Sequence, residues 1–163
     1  MQVPILSKEQ IARKIKRMAY EIWEENSKEQ EVIIFGIAEG GAVLASSLKK
    51  VLDKESDLKT TLEILKLDKN DVTSFNYTPS ADIKGKSIVI VDDVANSGKT
   101  LLYVMKPLLD FAPKKIQLVV LVDRKHKNYP VVPDVIGFSV ASTLQEHILV
   151  SCEGDKITGA FLE

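Results

Sequence analysis

With 163 residues and a single cysteine, the chain is long enough to bury a core of its own without disulfides or a structural metal. A hydrophobic share of 45%, a charged share of 28% and a net charge of −1 describe an ordinary globular protein and exclude a global pull toward nucleic acid or an anionic membrane surface. The absence of a signal peptide or a long apolar run makes a cytoplasmic protein the expectation, and His126, His147 and Cys152 form no familiar metal-binding spacing.

Ser7 to Asn26 reads as an amphipathic helix, because Ile11, Ile15, Met18 and Ile22 recur on one face and Ser7 with Gln10 makes a capping box. Trp23 reads as packing on that helix. Glu31 to Phe35 is a short β-branched run and reads as a buried strand; Gly36 to Gly41 is a turn, and Ala42 to Leu52 a second helix. Thr60 to Leu67 alternates weakly and is expected to be a strand. Asp68 to Asp82 is mostly polar, too polar for the core, and reads as a long mobile loop. Ser87 to Val91 is a central strand, and Gly98 to Phe111 a helix that Pro107 should kink or shorten. Ile116 to Val122, Val135 to Ser139 and Ile148 to Cys152 complete the strands. Strands alternating with helices predict a single α/β domain over 1–163 with a mostly parallel twisted sheet flanked by helices. His126 and His147 are expected at the surface, and Cys152 as a small core residue.

The chemistry concentrates in Val91-Asp92-Asp93-Val94-Ala95-Asn96-Ser97-Gly98-Lys99-Thr100. A hydrophobic strand ends in two adjacent carboxylates, a small polar loop follows, and a helix begins. Ligands of open α/β sheets bind at the carboxyl ends of strands. A helix N-terminus offers free N–H groups to a phosphate, Ser97 and Thr100 add hydroxyls, and Gly98 allows close backbone approach. Two carboxylates would repel a phosphate, so the hydroxyls of a ribose are their natural partner. Gly98-Lys99-Thr100 ends like a nucleotide-triphosphate loop, but that motif needs glycine where Asp93 stands.

The run resembles the ribose-phosphate motif of the type I phosphoribosyltransferases. That resemblance covers nearly the whole chain and is nearest to the pyrimidine-operon attenuators that double as uracil phosphoribosyltransferases, the PyrR group. Three further segments carry it: Lys16-Arg17-Met18-Ala19-Tyr20-Glu21-Ile22, Phe35-Gly36-Ile37-Ala38-Glu39-Gly40-Gly41, and Ile116 to Pro130 followed by Pro133-Asp134-Val135-Ile136-Gly137. It implies a type I phosphoribosyltransferase fold with a small hood, and transfer of 5-phosphoribosyl from 5-phosphoribosyl-1-pyrophosphate (PRPP) to a base, with Mg²⁺ carried on the pyrophosphate. Asp92 and Asp93 would hold the ribose 2- and 3-hydroxyls, and Ala95, Asn96, Ser97, Gly98, Lys99 and Thr100 would wrap the 5-phosphate. Backbone N–H groups from Ala38, Glu39, Gly40 and Gly41 would face the pyrophosphate, and Arg124 would reach it or its metal. The base would lie near Asp123, Ile136, Gly137, Phe138 and Val140. A homo-oligomer, dimer or tetramer, is also implied.

Several positions depart from the pattern. Asn96 stands where enzymes of 6-oxopurines carry an acid, and an amide takes up no proton at neutral pH. Asp123 stands where those enzymes carry a lysine. Both turn the expected base away from purines and toward uracil. Glu39 puts an acid in a loop that carries arginines in the attenuators, and the mobile loop and its entry offer Lys66 and Lys69 rather than an arginine. By the same resemblance the basic first helix, with Arg13, Lys16 and Arg17, is a possible RNA surface, although Glu21, Glu24 and Glu25 balance it and Tyr20 replaces a histidine. A nucleotide-sensing RNA-binding regulator and a purine phosphoribosyltransferase are the alternative readings.

Overall fold

The computed structural model describes residues 1–141, 143 and 146–163. The chain runs β1 (Val3–Ser7), α1 (Lys8–Glu25), β2 (Glu31–Ile37), α2 (Gly40–Glu55), β3 (Lys59–Leu65), a 3-10 turn at Val72–Ser74, β4 (Ser87–Ala95), α3 (Lys99–Leu109), β5 (Lys115–Arg124), β6 (Val135–Val140), β7 (Ile148–Glu153) and β8 (Lys156–Leu162). β3-β2-β4-β5-β6 form a parallel five-stranded sheet, and β1-β8-β7 a separate antiparallel sheet, the hood. The middle runs of the central strands β2, β4 and β5 are apolar because helices cover both of their faces. One core layer joins Ile11, Met18, Ile22, Leu44 and Leu48 to Val89 and Val91; the other joins Leu101, Val104 and Leu108 to Ile88, Ile90 and Val120.

The helices form where the apolar spacing put them. α1 starts at the expected capping box, with the Ser7 hydroxyl accepting from Gln10 N and the Gln10 side chain accepting from Ser7 N. Trp23 packs on the core edge and against Tyr20. α3 ends two residues past the buried Pro107.

Three expectations need correction. Ile148–Glu153 is a strand, but it pairs with β8 in the hood rather than extending the parallel sheet. Cys152 is therefore exposed on a hood edge strand and not a core residue. The polar segment after β3 also contributes to the core: Val72 is buried, and Phe75 and Tyr77 stack together and pack against the second core layer. Glu63 on β3 clamps that segment by accepting from the Tyr77 hydroxyl at 2.6 Å and from the N–H groups of Ser80 and Ala81 at 2.8 and 2.9 Å. These bonds hold the Glu63 carboxyl low against the opposing effect of burial, while burial first and then the bond to Glu63 push the Tyr77 phenol up to about 12. His126 and His147 are exposed, as expected.

At the opposite end of the sheet a buried polar knot fixes α1 to β4 and β5. Asn26 donates to Ile22 O at 2.7 Å and to Gln117 Oε1 at 2.6 Å, and accepts from the Ser87 hydroxyl at 2.6 Å. Asn26→Ala strands two buried polar groups at once, so it should destabilise the fold by about 3 kcal/mol. Denaturant melts of the variant check this, and a loss under about 1 kcal/mol would mean the knot relaxes or admits water.

Candidate functional site

The site forms at the carboxyl ends of β2, β4 and β5. β4 continues through Asp92 and Asp93 as far as Ala95, four residues further than its apolar run indicates, because β5 pairs with it over Asp92↔Val120, Val94↔Val122 and Ala95↔Asp123. The ladder satisfies the backbone there and carries the acid pair into the protein. Asp92 is 1% exposed. Burial, then repulsion from Asp93, push its pKa up to about 8, and the Lys69 charge works in the other direction. Lys69 Nζ lies 3.4 Å from Asp92 Oδ1 and 3.9 Å from Asp93 Oδ1. Asp92 Oδ1 also accepts from Asp93 N at 2.9 Å, and Asp93 Oδ1 from Val94 N at 2.8 Å.

The start of α2 presses directly on this pair. A Cβ at position 40 would lie 2.0 Å from Asp93 Oδ2, and one at position 41 would lie 2.6 Å from Val91 O. Only glycine allows this approach, which brings the positive end of the α2 dipole to the carboxylates. Glu39 precedes the helix, is exposed and makes no side-chain cap. The Ala38–Glu39 peptide is cis. Of the N–H groups expected to face a pyrophosphate, that of Ala38 is spent on Leu65 O at 2.9 Å; Glu39, Gly40 and Gly41 remain at the uncapped helix start.

Asn96, Ser97 and Gly98 join β4 to α3. Gly98 has φ 86° and heads the helix without a side-chain cap, while the Ser97 hydroxyl accepts from Lys99 N at 3.3 Å. Ser97 O accepts from the N–H groups of Asn128 and Tyr129 at 3.0 and 3.1 Å, so the segment after β5 lies over the loop. Asp92, Ala95, Asn96, Ser97, Gly98, Lys99, Thr100 and Lys69 line a cavity of about 70 Å³. Every residue expected around the ribose and 5-phosphate therefore converges on one place except Asp93, which stands beside it against α2.

The remaining expected residues are differently engaged. Arg124 is 9% exposed. Its Nη1 faces Asn96 Oδ1 at 3.4 Å and its Nη2 donates to Thr143 O at 2.6 Å. A buried guanidinium needs acceptors of its own, and these two oxygens tie Arg124 to the loop after β4 and to the segment after β6. Asp123 is held by Lys127 at 2.5 Å, and that ammonium also donates to Arg124 O. The carbonyls of Ile136 and Gly137 accept from Arg17 Nη2 at 3.0 and 2.9 Å. Phe138 and Val140 lie at the open end of β6, with Lys14 Nζ 5.4 Å from the Phe138 ring centre. Arg17 also pairs with Glu21 at 2.5 Å, while Arg13 and Lys16 are exposed on α1. The sequence reading missed Lys127, whose one signal is its four-residue spacing from Asp123, and the roles of Thr143 and of the Asn128 and Tyr129 N–H groups, which carry no signal.

Comparison with known proteins agrees with this geometry. The family model described as "Phosphoribosyl transferase domain" matches residues 2–152. Proteins called "Bifunctional protein PyrR" are similar along almost their whole length: that of Haemophilus ducreyi is 30% identical, covering 94% of this chain and 91% of the relative, and that of Caldicellulosiruptor bescii 32%, covering 90% and 87%. In fold, a hypoxanthine-guanine phosphoribosyltransferase of Bacillus anthracis superposes with a TM-score of 0.79 at 19% identity, covering 97% and 96% of the two chains. A hypoxanthine phosphoribosyltransferase of Trypanosoma cruzi gives 0.77 at 16%, covering 96% and 88%. A family model that spans most of the chain, together with relatives similar from end to end, places this protein in the phosphoribosyltransferase family.

Proposed function

We propose that the protein transfers 5-phosphoribosyl from PRPP to a nucleobase, uracil, and releases pyrophosphate. The observation that carries this is the acid pair set directly before a cavity lined by hydroxyls and the open N-terminus of α3. Asp92 and Asp93 accept from the ribose 2- and 3-hydroxyls. Ser97, Gly98, Lys99 and Thr100 receive the 5-phosphate on N–H and hydroxyl donors, with the helix dipole in support. The pyrophosphate lies toward Glu39, Gly40 and Gly41, where the α2 N-terminus supplies positive potential.

The base nitrogen forms its bond to C1 as the C1–O bond breaks. The electron pair of that bond leaves on the pyrophosphate, and the N–H proton of the base passes to solvent. The protein's contribution is to hold the two reactants in line and to stabilise the growing negative charge. Hard carboxylate oxygens fit Mg²⁺, and Asp93 is the partly exposed carboxylate of the pair. Bound with the donor, the ion neutralises pyrophosphate charge. Among the described residues no group of three or more His, Cys, Asp or Glu side chains is gathered that could hold a metal. No helix among the described residues is long and apolar enough to cross a membrane.

A second reading, an RNA-binding regulator, has one observation in its favour: an open hollow of about 330 Å³ on α1 lined by Gln10, Arg13, Lys14 and Arg17. With Arg17 spent on Glu21 and β6, Arg13 and Lys16 are left as the phosphate contacts. If this face binds RNA, Arg13→Ala/Lys16→Ala should weaken binding and reduce its salt dependence by about two phosphate contacts. Unchanged binding and slope in a filter assay across salt concentrations would remove α1 as the surface.

Turnover of uracil, hypoxanthine, guanine, xanthine and orotate with PRPP and Mg²⁺ tests the main reading. Uracil is expected to be the best substrate, and turnover of none would sink the transferase. Asp92→Asn/Asp93→Asn should bind PRPP about 100-fold more weakly by calorimetry, through loss of two charge-assisted hydrogen bonds. Asp92 titrates near 8 without donor, and hydroxyl donors favour its carboxylate form. Donor binding must then lower that pKa and release a proton, so affinity should rise with pH from about 6 to about 8 and level off above. A flat profile over that range removes Asp92 from ribose recognition.

A further inference from the structure

Away from the cleft, α1, α2 and the β7–β8 turn enclose a groove of about 330 Å³. Its floor is Ile11 and Ile15 of α1, Val51 of α2 and Ile157 of β8. The three isoleucines belong to the core layer beneath and Val51 packs against it, so here that layer reaches the surface. Among the described residues, the one neutral polar side chain of the lining is Ser47. It donates its hydroxyl to Val43 O at 3.1 Å, and the backbone groups around it are used within the helices. The floor thus offers little for a sugar or a peptide backbone to pair with.

The rim is charged. Lys8, Lys50 and Lys156 stand around it with a single acid, Asp155. Lys50 pairs with Asp155 at 2.7 Å, bridging α2 and the hood. Lys8 and Lys156 are exposed and form no ion pair among the described residues. With Asp155 set against Lys50, two cations are left in excess, in a chain whose net charge is −1. The volume falls at the lower end of small-molecule sites, about 300 to 1,000 Å³. A stable protein partner would need about 800 Å² of surface on each side, a broad face rather than a hollow.

We propose that this groove binds a small amphipathic carboxylate of the fatty-acid kind, its chain on the isoleucine floor and its head group at the rim with Lys8 and Lys156. The chain displaces water from the floor, and the anion meets the excess cations. Lys50 lies about 15 Å along α2 from Gly40, which presses on Asp93. The groove is therefore separate from the cleft, and the proposal stands whether or not the chain transfers phosphoribosyl groups.

Calorimetry of the full chain with butanoate, hexanoate, octanoate and octylamine tests it. Affinity should tighten roughly 4-fold for each methylene buried. Octylamine, with the same chain and the opposite charge, should bind about 10-fold more weakly than octanoate or worse. Lys8→Gln/Lys156→Gln should weaken octanoate about 10-fold and octylamine not at all. Ala12 is exposed and lines the groove, so Ala12→Phe should fill it and abolish binding, with thermal melts showing that both variants stay folded. Affinity that ignores chain length reduces the site to surface lysines meeting an anion. Equal binding of octylamine reduces it to a nonspecific apolar surface, and octanoate binding retained in Ala12→Phe puts the ligand elsewhere. Each of these overturns the proposal. So does a dimer in sedimentation that Ala12→Phe dissociates, since a second copy would then cover the groove.

Discussion

Asp92 and Asp93 are adjacent acids drawn into the end of a central strand, and burying carboxylates without compensation costs several kcal/mol. The surrounding structure supplies that compensation. Lys69 brings a full charge from the segment after β3, the α2 N-terminus brings a partial one, and the backbone N–H groups of Asp93 and Val94 supply hydrogen bonds. Each contribution has a structural requirement. The helix can reach the acids only because positions 40 and 41 are glycine. Lys69 is brought within reach by a segment that Val72, Phe75 and Tyr77 dock to the core and Glu63 clamps.

Acceptors of their own also govern the direction of two cations near the end of β5. Arg124 and Lys127, the cations at the end of β5, are directed inward: one to Asn96 and Thr143, the other to Asp123. Their role is to brace the loop between β4 and α3 and the segment that covers it. A cavity braced in this way gains rigidity around the Asp92–Thr100 loop, and the uncapped N-termini of α2 and α3 add positive potential beside it.

The Asp92–Thr100 run was legible because its features are local: an apolar strand, two acids, a glycine and hydroxyls within one turn. The helices were legible from their period and the Ser7–Gln10 cap. The true end of β4 was not, since its last four residues are strand only by pairing with β5. The hood was poorly legible for a similar reason. β1 holds Pro4, which marks an edge strand at best, and β8 holds Gly159 amid weak alternation. The engagement of Arg17 and Arg124 lay beyond any local signal, because their partners at Ile136, Gly137, Asn96 and Thr143 are far along the chain. Arg124 is turned inward by burial and tertiary acceptors, whereas Arg17 stays exposed and only its guanidinium is held by the β6 carbonyls.

The hood joins the two ends of the sequence, with Val3 opposite Leu162 in β1 and β8. Closing a loop of that length carries an entropic cost that must be met before its contacts form. The acid pair lies on a ladder made within the parallel sheet, whereas Leu6, Ile157 and Ala160 of the hood belong to the core layer shared with α1 and α2, and β7, which holds Cys152 near the charges of Asp93 and Glu39, pairs only with β8. During synthesis the ladder that carries the acids can therefore pair before β8 emerges, while the core layer shared with α1 and α2 is completed only when β8 closes against β1.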